Sequence, residues 1–423
     1  MSSDVVAEPR TPLLPYTRGE ILKDTADDYR KLQEAWRLIR HRVAEHGRGS
    51  IHNLSGLERS LHVETEDRDL LDDELAPAFS LEELTRLALT HFGGSPENHD
   101  VAVTNRLSGA LLASTLVMVR PGQTVIGVSA RHSHPAVSRA ADVAGAKFID
   151  TSGLEQFRAA LRANDNVALV VITRLSVTYE LLSTDDLSRI VELAQQRNVR
   201  ILVDDAGGAR IGPAVFDQPR LLELGIDVGA TGLDKYGTTG PRLGLIGGER
   251  ELVGRIRSRI FELALEARPM LYPAVVHSLR QYDPERVREL VRTTMEFTEE
   301  LKKRLRERVV ETPVICKLTA EDILQEGMDR AGITVPPIVP YEATACFAML
   351  LLRDHGVLTV HFAGLPPGTS ALLIKFLPPE KLASFGGTAK LVDAIDSCLT
   401  ILGEHYLRHP DEIPRLLFGA QSV

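Results

Sequence analysis

The residues best suited to do chemistry lie between positions 201 and 248. They are two adjacent carboxylates, Asp204 and Asp205, and a lysine, Lys235, in the Gly/Thr-rich run GLDKYGTTG. The carboxylates follow Ile201-Leu202-Val203, an apolar run that reads as a buried parallel strand, and precede the small residues Ala206, Gly207 and Gly208. In an open α/β sheet, ligands bind at the carboxyl ends of strands. The 31 residues from Asp204 to Lys235 suffice for one crossover and a return to the same sheet edge. A second apolar run, Leu243 to Ile246, follows. A lysine amine forms a Schiff base with an aldehyde, and an aspartate holds a pyridine nitrogen protonated so that the ring withdraws electrons. Either residue alone is as well explained by an acidic turn or a surface lysine. The ordered set points to cofactor chemistry.

That set resembles the fold type I pyridoxal-phosphate (PLP) enzymes, in which a strand-end D-x-A motif precedes the Schiff-base lysine. The resemblance implies PLP as cofactor, with Asp204 at the pyridine nitrogen, Ala206 against the ring and Lys235 as the attachment point. Strand side chains alternate in direction, so Asp204 and Asp205 cannot both face the ring, and the D-x-A spacing selects Asp204.

The elements that must position these groups follow from the pattern around them. Strand and helix alternate from about residue 100 to 248, which predicts a mainly parallel sheet with helices on both faces. Val101 to Thr104 reads as a strand that runs through Asn105-Arg106-Leu107-Ser108-Gly109 into a helix. A strand, a small-residue turn and a helix N-terminus make an anion site, because unpaired N–H groups point at the ligand. In the resembled family the cofactor phosphate sits there, which implies Ser108 and Gly109 as ligands, with Thr231 as a further one. The loop RHSHPAV carries His132 and His134. It resembles the R-N-x-H-K-S segment of bacterial basic-amino-acid decarboxylases, and this implies that His134 stacks on the ring while His132 is solvated.

Elsewhere, residues 17 to 47 read as a helix with Tyr29 and Trp36 on an apolar face, and Ser80-x-x-Glu83 as a capping box. Val167 to Ile172 reads as a strand, and Ser183 with Asp186 as a helix start. Helices are expected over 249–268, 276–309 and 379–407, and strands over Cys346 to Leu352, Val357 to Phe362 and Ala371 to Phe376. The fold class expected is α/β, a fold type I PLP-dependent transferase fold. Its expected parts are an N-terminal arm and helix (1–60), a large PLP-binding domain (61–270), and a linking helix with a small α+β C-terminal domain (271–423).

With 43% hydrophobic and 25% charged residues, the composition is that of an ordinary globular protein. A net charge of −9 argues against a broad nucleic-acid surface. Cys316, Cys346 and Cys398 are widely spaced, so neither a disulfide framework nor a metal site is indicated. No run approaches membrane-spanning length and Met1 leads into no signal pattern, so a cytoplasmic location is expected.

Within fold type I, the segments IHNLSGLERSLH, TNRLSGA and LDKYGTTGPRLGLIGG look most like the selenocysteine-synthase-like branch. The resemblance implies Cα-proton abstraction with β-elimination or β-replacement, and places Asn53 near the site. The acidic chain, without a long basic N-terminal domain, leads us to expect a small amino acid or amino-sugar acid as substrate and not a tRNA. The last strand carries Leu373 where many aminotransferases place a carboxylate-binding arginine. Arg106, Arg131, Arg174 and Arg242 are the alternatives. An aminotransferase, or a non-catalytic binding or regulatory protein, are the other readings. A homodimer or larger even oligomer is expected, with sites shared between subunits.

Overall fold

The computed structural model describes residues 14–65, 67–360 and 367–420. In chain order its strands are β1 (His52–Asn53), β2 (His99–Thr104), β3 (Thr124–Ser129), β4 (Lys147–Ser152), β5 (Val167–Ile172), β6 (Arg200–Asp204), β7 (Val228–Gly232), β8 (Gly244–Glu249), β9 (Val310–Glu311), β10 (Ile315–Thr319), β11 (Val357–Leu358) and β12 (Ala371–Lys375). Strands β2 to β8 form one sheet in the order β2-β8-β7-β6-β5-β3-β4. Only β8 runs against its neighbours, pairing antiparallel with β2 and β7. The central strands are buried on both faces, which is why Val167–Ile172 and Ile201–Val203 are continuous apolar runs. Strands β5, β6 and β7 all end at the same sheet edge, and the candidate chemistry gathers there.

Strands β9, β10 and β12 form a separate antiparallel sheet, and β1 pairs in parallel with β11. This second pairing ties residues 52–60 to the C-terminal part of the chain. Beyond β1, the backbone of Arg59 bridges Gly240, and Ser60 N–H donates to Gly240 O. The N-terminal segment is thereby fastened to the loop that follows Lys235.

Several expected elements change. The run Cys346–Leu352 is helical, inside Pro340–His355, and every residue from Tyr341 to Leu352 is buried. A helix apolar on all sides carries no 3.6-residue stripe, so its sequence reads like a buried strand. Cys346 lies in that core, where burial pushes its thiol up, away from a nucleophilic thiolate. Ser80 lies inside the helix Leu75–Phe92 and caps nothing; the Asp72 carboxylate accepts from Glu74 N–H and Leu75 N–H at its start. The first helix is Thr25–His46, capped by Asp24, and buries Asp28, Lys31, Glu34 and Ala35. Trp36 and Tyr29 instead stay 51% and 45% exposed. The reason is a buried polar cluster: Asp28 pairs with Arg18 at 2.8 Å and takes the Tyr341 hydroxyl proton. The expected helix 276–309 is two, Tyr272–Arg280 and Pro284–Leu305, separated by the Asp283 cap. The expected helix 249–268 ends at Glu262, and that over 379–407 breaks at Gly386. Of Val357 to Phe362 only Val357–Leu358 is strand, and Phe362 lies outside the described residues. No helix among the described residues is long and apolar enough to cross a membrane.

Candidate active site

At the end of β6 the two aspartates part company. Asp204 opens into a cleft of about 220 Å³ at the sheet edge, with only 2% of the residue exposed. Asp205 turns away. Its N–H donates to Ala230 O, and its carboxylate pairs with Arg174 at 2.6 Å, both side chains fully buried. Arg174 also donates to Pro219 O at 2.7 Å. Its guanidinium is therefore spent on the fold and does not line the cleft, contrary to its candidacy as a carboxylate ligand. The Asp204 Oδ1 is buried with no hydrogen-bond partner. Burial, and then the neighbouring Asp205 charge, lift its carboxyl to about 7 against the pull of Lys235.

Small residues after Asp205 are a packing requirement. A Cβ on Gly207 would lie 2.4 Å from Tyr236 Cε2, so only glycine lets the helix Gly208–Phe216 begin there. Ala206 lines the cleft. Thr231 does not: its hydroxyl, on β7, donates to Ala206 O at 3.2 Å.

The turn after β7 carries Asp234, Lys235 and Tyr236. Thr238 pins it, its hydroxyl lying 3.0 Å from Leu233 O and 2.8 Å from Lys235 O. Lys235 reaches the cleft with its Nζ 3.8 Å from Asp234 Oδ1. Burial lowers the amine below the usual lysine range; Asp234 opposes this, while Arg59, Arg242 and Arg210 reinforce it. Burial would raise Asp234, but Lys235 and Arg59 outweigh it and hold the carboxyl below its usual range. Arg59 Nε donates to Asp234 Oδ2 at 2.9 Å.

Four arginines (Arg59, Arg106, Arg139 and Arg242) line the cleft. Burial, Arg59 and Arg106 push Arg242 down to about 10. Ser108, in the first turn of the helix Leu107–Met118, is in the wall; Gly109 lies behind it, with its N–H given to Arg106 O at 2.9 Å. His134 caps the helix Pro135–Val143, its Nδ1 accepting from Ala136 N–H at 3.0 Å. Burial, then the charges of Lys235 and Arg139, bring its pKa to about 4, so the imidazole facing the cleft is neutral. His132, expected in solvent, is partly buried and off the cleft. Arg131 is exposed and pairs loosely with Glu180 at 3.8 Å. Asn53 holds a turn, donating to Leu57 O at 2.8 Å, and leaves the wall to Leu57 and Arg59.

No protein-family model matches the chain. Over 356 residues it is 31% identical to a UPF0425 pyridoxal phosphate-dependent protein of Methanothermobacter thermautotrophicus, covering 83% of this chain and 88% of that one. The chain belongs to the UPF0425 pyridoxal phosphate-dependent proteins. A second member, from Methanosphaera stadtmanae, is 28% identical over 344 residues, 81% of this chain and 86% of that one. Among solved structures, N-succinyldiaminopimelate aminotransferase from Mycobacterium tuberculosis matches with a TM-score of 0.56 at 18% identity, over 86% of this chain and 96% of that one. A chain of a SepCysS–SepCysE N-terminal domain complex matches with a TM-score of 0.58 at 12% identity, over 84% and 95%. These likenesses establish the fold: the UPF0425 chain has the fold type I, aminotransferase-like α/β architecture.

In this UPF0425 chain the cleft thus unites Asp204, Ala206, Lys235, Ser108, His134, Arg106 and Arg242, and leaves out Gly109, Thr231, Arg174 and Asn53. Sequence reasoning missed Arg59, Arg139, Asp234, Tyr179 and Tyr236. Asp234 and Tyr236 flank Lys235 and could have been read from adjacency. Arg59 sits in the IHNLSGLERSLH segment whose nearness was expected, but the β1–β11 pairing that carries it in leaves no local signal.

Proposed function

We propose that the protein is a PLP-dependent enzyme that removes the Cα proton of a small amino acid or amino-sugar acid and eliminates or replaces its β-substituent. The observation that carries this is the orphaned, buried Asp204 Oδ1 in the same cleft as the Lys235 amine. A buried carboxylate oxygen without a donor is costly, and a protonated pyridine nitrogen is the donor that would satisfy it. The other residues fit the same group: Ser108 at a helix N-terminus for the phosphate, and the neutral His134 and small Ala206 for the ring. PLP, when bound, supplies an aldehyde for the lysine and a ring that withdraws electrons from Cα.

Each residue then has a definable task. Lys235, whose proton affinity is lowered by burial, provides an amine free to attack an aldehyde and later to take a proton from Cα. Asp204 keeps the ring nitrogen charged. Arg106 and Arg242, both in the wall, are the carboxylate ligands, since Arg174 is committed to Asp205. The ordering of the reaction within the selenocysteine-synthase-like branch is supported by the delivery of Arg59 from IHNLSGLERSLH to Asp234, beside Lys235.

Aminotransfer would use the same Lys235 and Asp204, and an assay separates the two. Incubated with β-substituted amino acids, the holoenzyme should release ammonia and an oxo acid in equal amounts without an acceptor. Amino-group transfer to an oxo-acid acceptor, with no free ammonia, would establish the aminotransferase reading instead. Failure with every donor under both conditions would favour a binding or regulatory role. We also assign the chain to a homodimer or larger even oligomer, because Trp36 and Tyr29 present apolar surface on the first helix. Sedimentation at dilute concentration should find no monomer.

A further inference from the structure

Deep in the cleft, on the side formed by β12, a second lysine is enclosed by aromatic rings. Lys375 closes β12, and its residue is only 1% exposed. Its Nζ is 3.1 Å from the Tyr236 hydroxyl, which in turn is 2.7 Å from the Tyr179 hydroxyl. Tyr179, Tyr236 and Lys375 all line the same cleft as Lys235 and Asp204. Nζ lies 4.9 Å from the Tyr236 ring centroid, 5.2 Å from that of Tyr179 and 6.0 Å from that of Phe376. Among the described residues no carboxylate touches it.

Two further features show that this arrangement is imposed and not incidental. Tyr179 and Phe376 have φ of 68° and 47°, a left-handed backbone that bulky residues rarely adopt. Such strain is maintained only where surrounding structure overdetermines it, and it concentrates at functional sites. Gly56, with φ of +68°, seals the chain from outside, because a Cβ there would lie 2.3 Å from Lys375 O and 2.8 Å from its Cγ. The turn that begins at β1 thus closes over Lys375.

We propose that Tyr179, Tyr236 and Lys375 form a proton-conducting chain that deprotonates a hydroxyl or thiol nucleophile entering beside the substrate. The proposal rests on the β-replacement reading above and deepens it. The X–H bond of the nucleophile breaks with its electron pair left on X. The proton passes to the Tyr179 oxygen as the Tyr179 proton moves to Tyr236 and the Tyr236 proton to Nζ. Lys375 ends as an ammonium, and the three rings stabilise that charge. An amine buried among rings starts neutral and can accept this proton. Burial and the Lys235 charge hold Lys375 well below the usual lysine range; Asp234 opposes them, Arg59 adds to them, and Tyr179 and Tyr236 complete the groups facing it. Lys235 is thereby left to serve Cα alone. The site has two bases, one for each bond made or broken.

Two measurements on the full-length holoenzyme test the chain. The first uses protein carrying 15Nζ-lysine, with the Lys375 signal assigned by its loss in Lys375→Met. Nζ should be a neutral amine at pH 7.5 in the wild type. An ammonium that persists through pH 9 would overturn the proposal. The second uses β-chloro-L-alanine with 2-mercaptoethanol, since chloride leaves without a proton and isolates the demand for one at the thiol. In Lys375→Met and Tyr236→Phe the ratio of thioether formed to chloride released should fall about 100-fold, the usual scale for general base catalysis. A ratio unchanged in both variants would also overturn it. If the wild type releases no chloride from this probe, the β-chemistry reading fails, and the 15N titration still decides whether Lys375 is a base.

Discussion

Asp204 makes the strongest physical prediction, because its state can be followed through stability alone. In the PLP-free protein its carboxyl rises from 3.8 to about 7, through burial and the Asp205 charge. The folded protein therefore holds this proton more tightly than the unfolded chain does. The resulting stability is fully present below the unfolded value near 4 and is lost as pH rises through about 7. A shift of about 3 units at 1.36 kcal/mol each amounts to about 4 kcal/mol between those limits. Asp204→Asn carries no titrating proton, so it cannot lose this increment. The assay is denaturant unfolding of PLP-free wild type and Asp204→Asn from pH 4.5 to 8, reading the difference in unfolding free energy. Taking the difference removes His134 and every other titrating group common to both. The variant should gain on the wild type progressively with pH, by a few kcal/mol in total, and level off above pH 8. A difference that stays flat across the range would refute the reasoning, because Asp204 would then be solvated or already paired.

Three further expectations follow from the packing. Arg174→Ala leaves Asp205 charged and buried without its 2.6 Å partner, and unfolding midpoints should reveal a loss of about 3–5 kcal/mol. Replacing the pair together, with Arg174→Met and Asp205→Leu, should recover much of that loss in the same assay. Gly207→Ala places a Cβ 2.4 Å from the Tyr236 ring, so Tyr236 must shift; a loss of about 1–3 kcal/mol is expected, with weakened PLP retention measured by gel filtration.

How far these groups could be read from sequence depended on whether their signal was local. Asp204 and Lys235 were legible because a strand end, small residues and a Gly/Thr-rich turn mark them in adjacent segments. Asp205 was separated from Asp204 by alternation alone, and the Arg174 pair shows where it went. Arg174 could not be dismissed in advance, since its partner lies 31 residues away and nothing nearby announces a buried ion pair. Ser108 was readable from its turn, whereas Gly109 and Thr231 share that vicinity but spend their hydrogen bonds on backbone carbonyls. The helix Pro340–His355 was misread because burial on every side erases the periodicity that distinguishes helix from strand. The Tyr179–Tyr236–Lys375 chain joins three distant segments, and only the fold brings them together.

The central claim is that Lys235 is the attachment point for PLP, and reduction with borohydride tests it directly. The holoenzyme is reduced, digested and mapped by mass spectrometry for the lysine that bears the reduced pyridoxyl group. The account predicts the label on the peptide containing Gly232-Leu233-Asp234-Lys235-Tyr236, and its absence from Lys235→Ala. A label on Lys375 or any other lysine, with Lys235 unmodified, would contradict it.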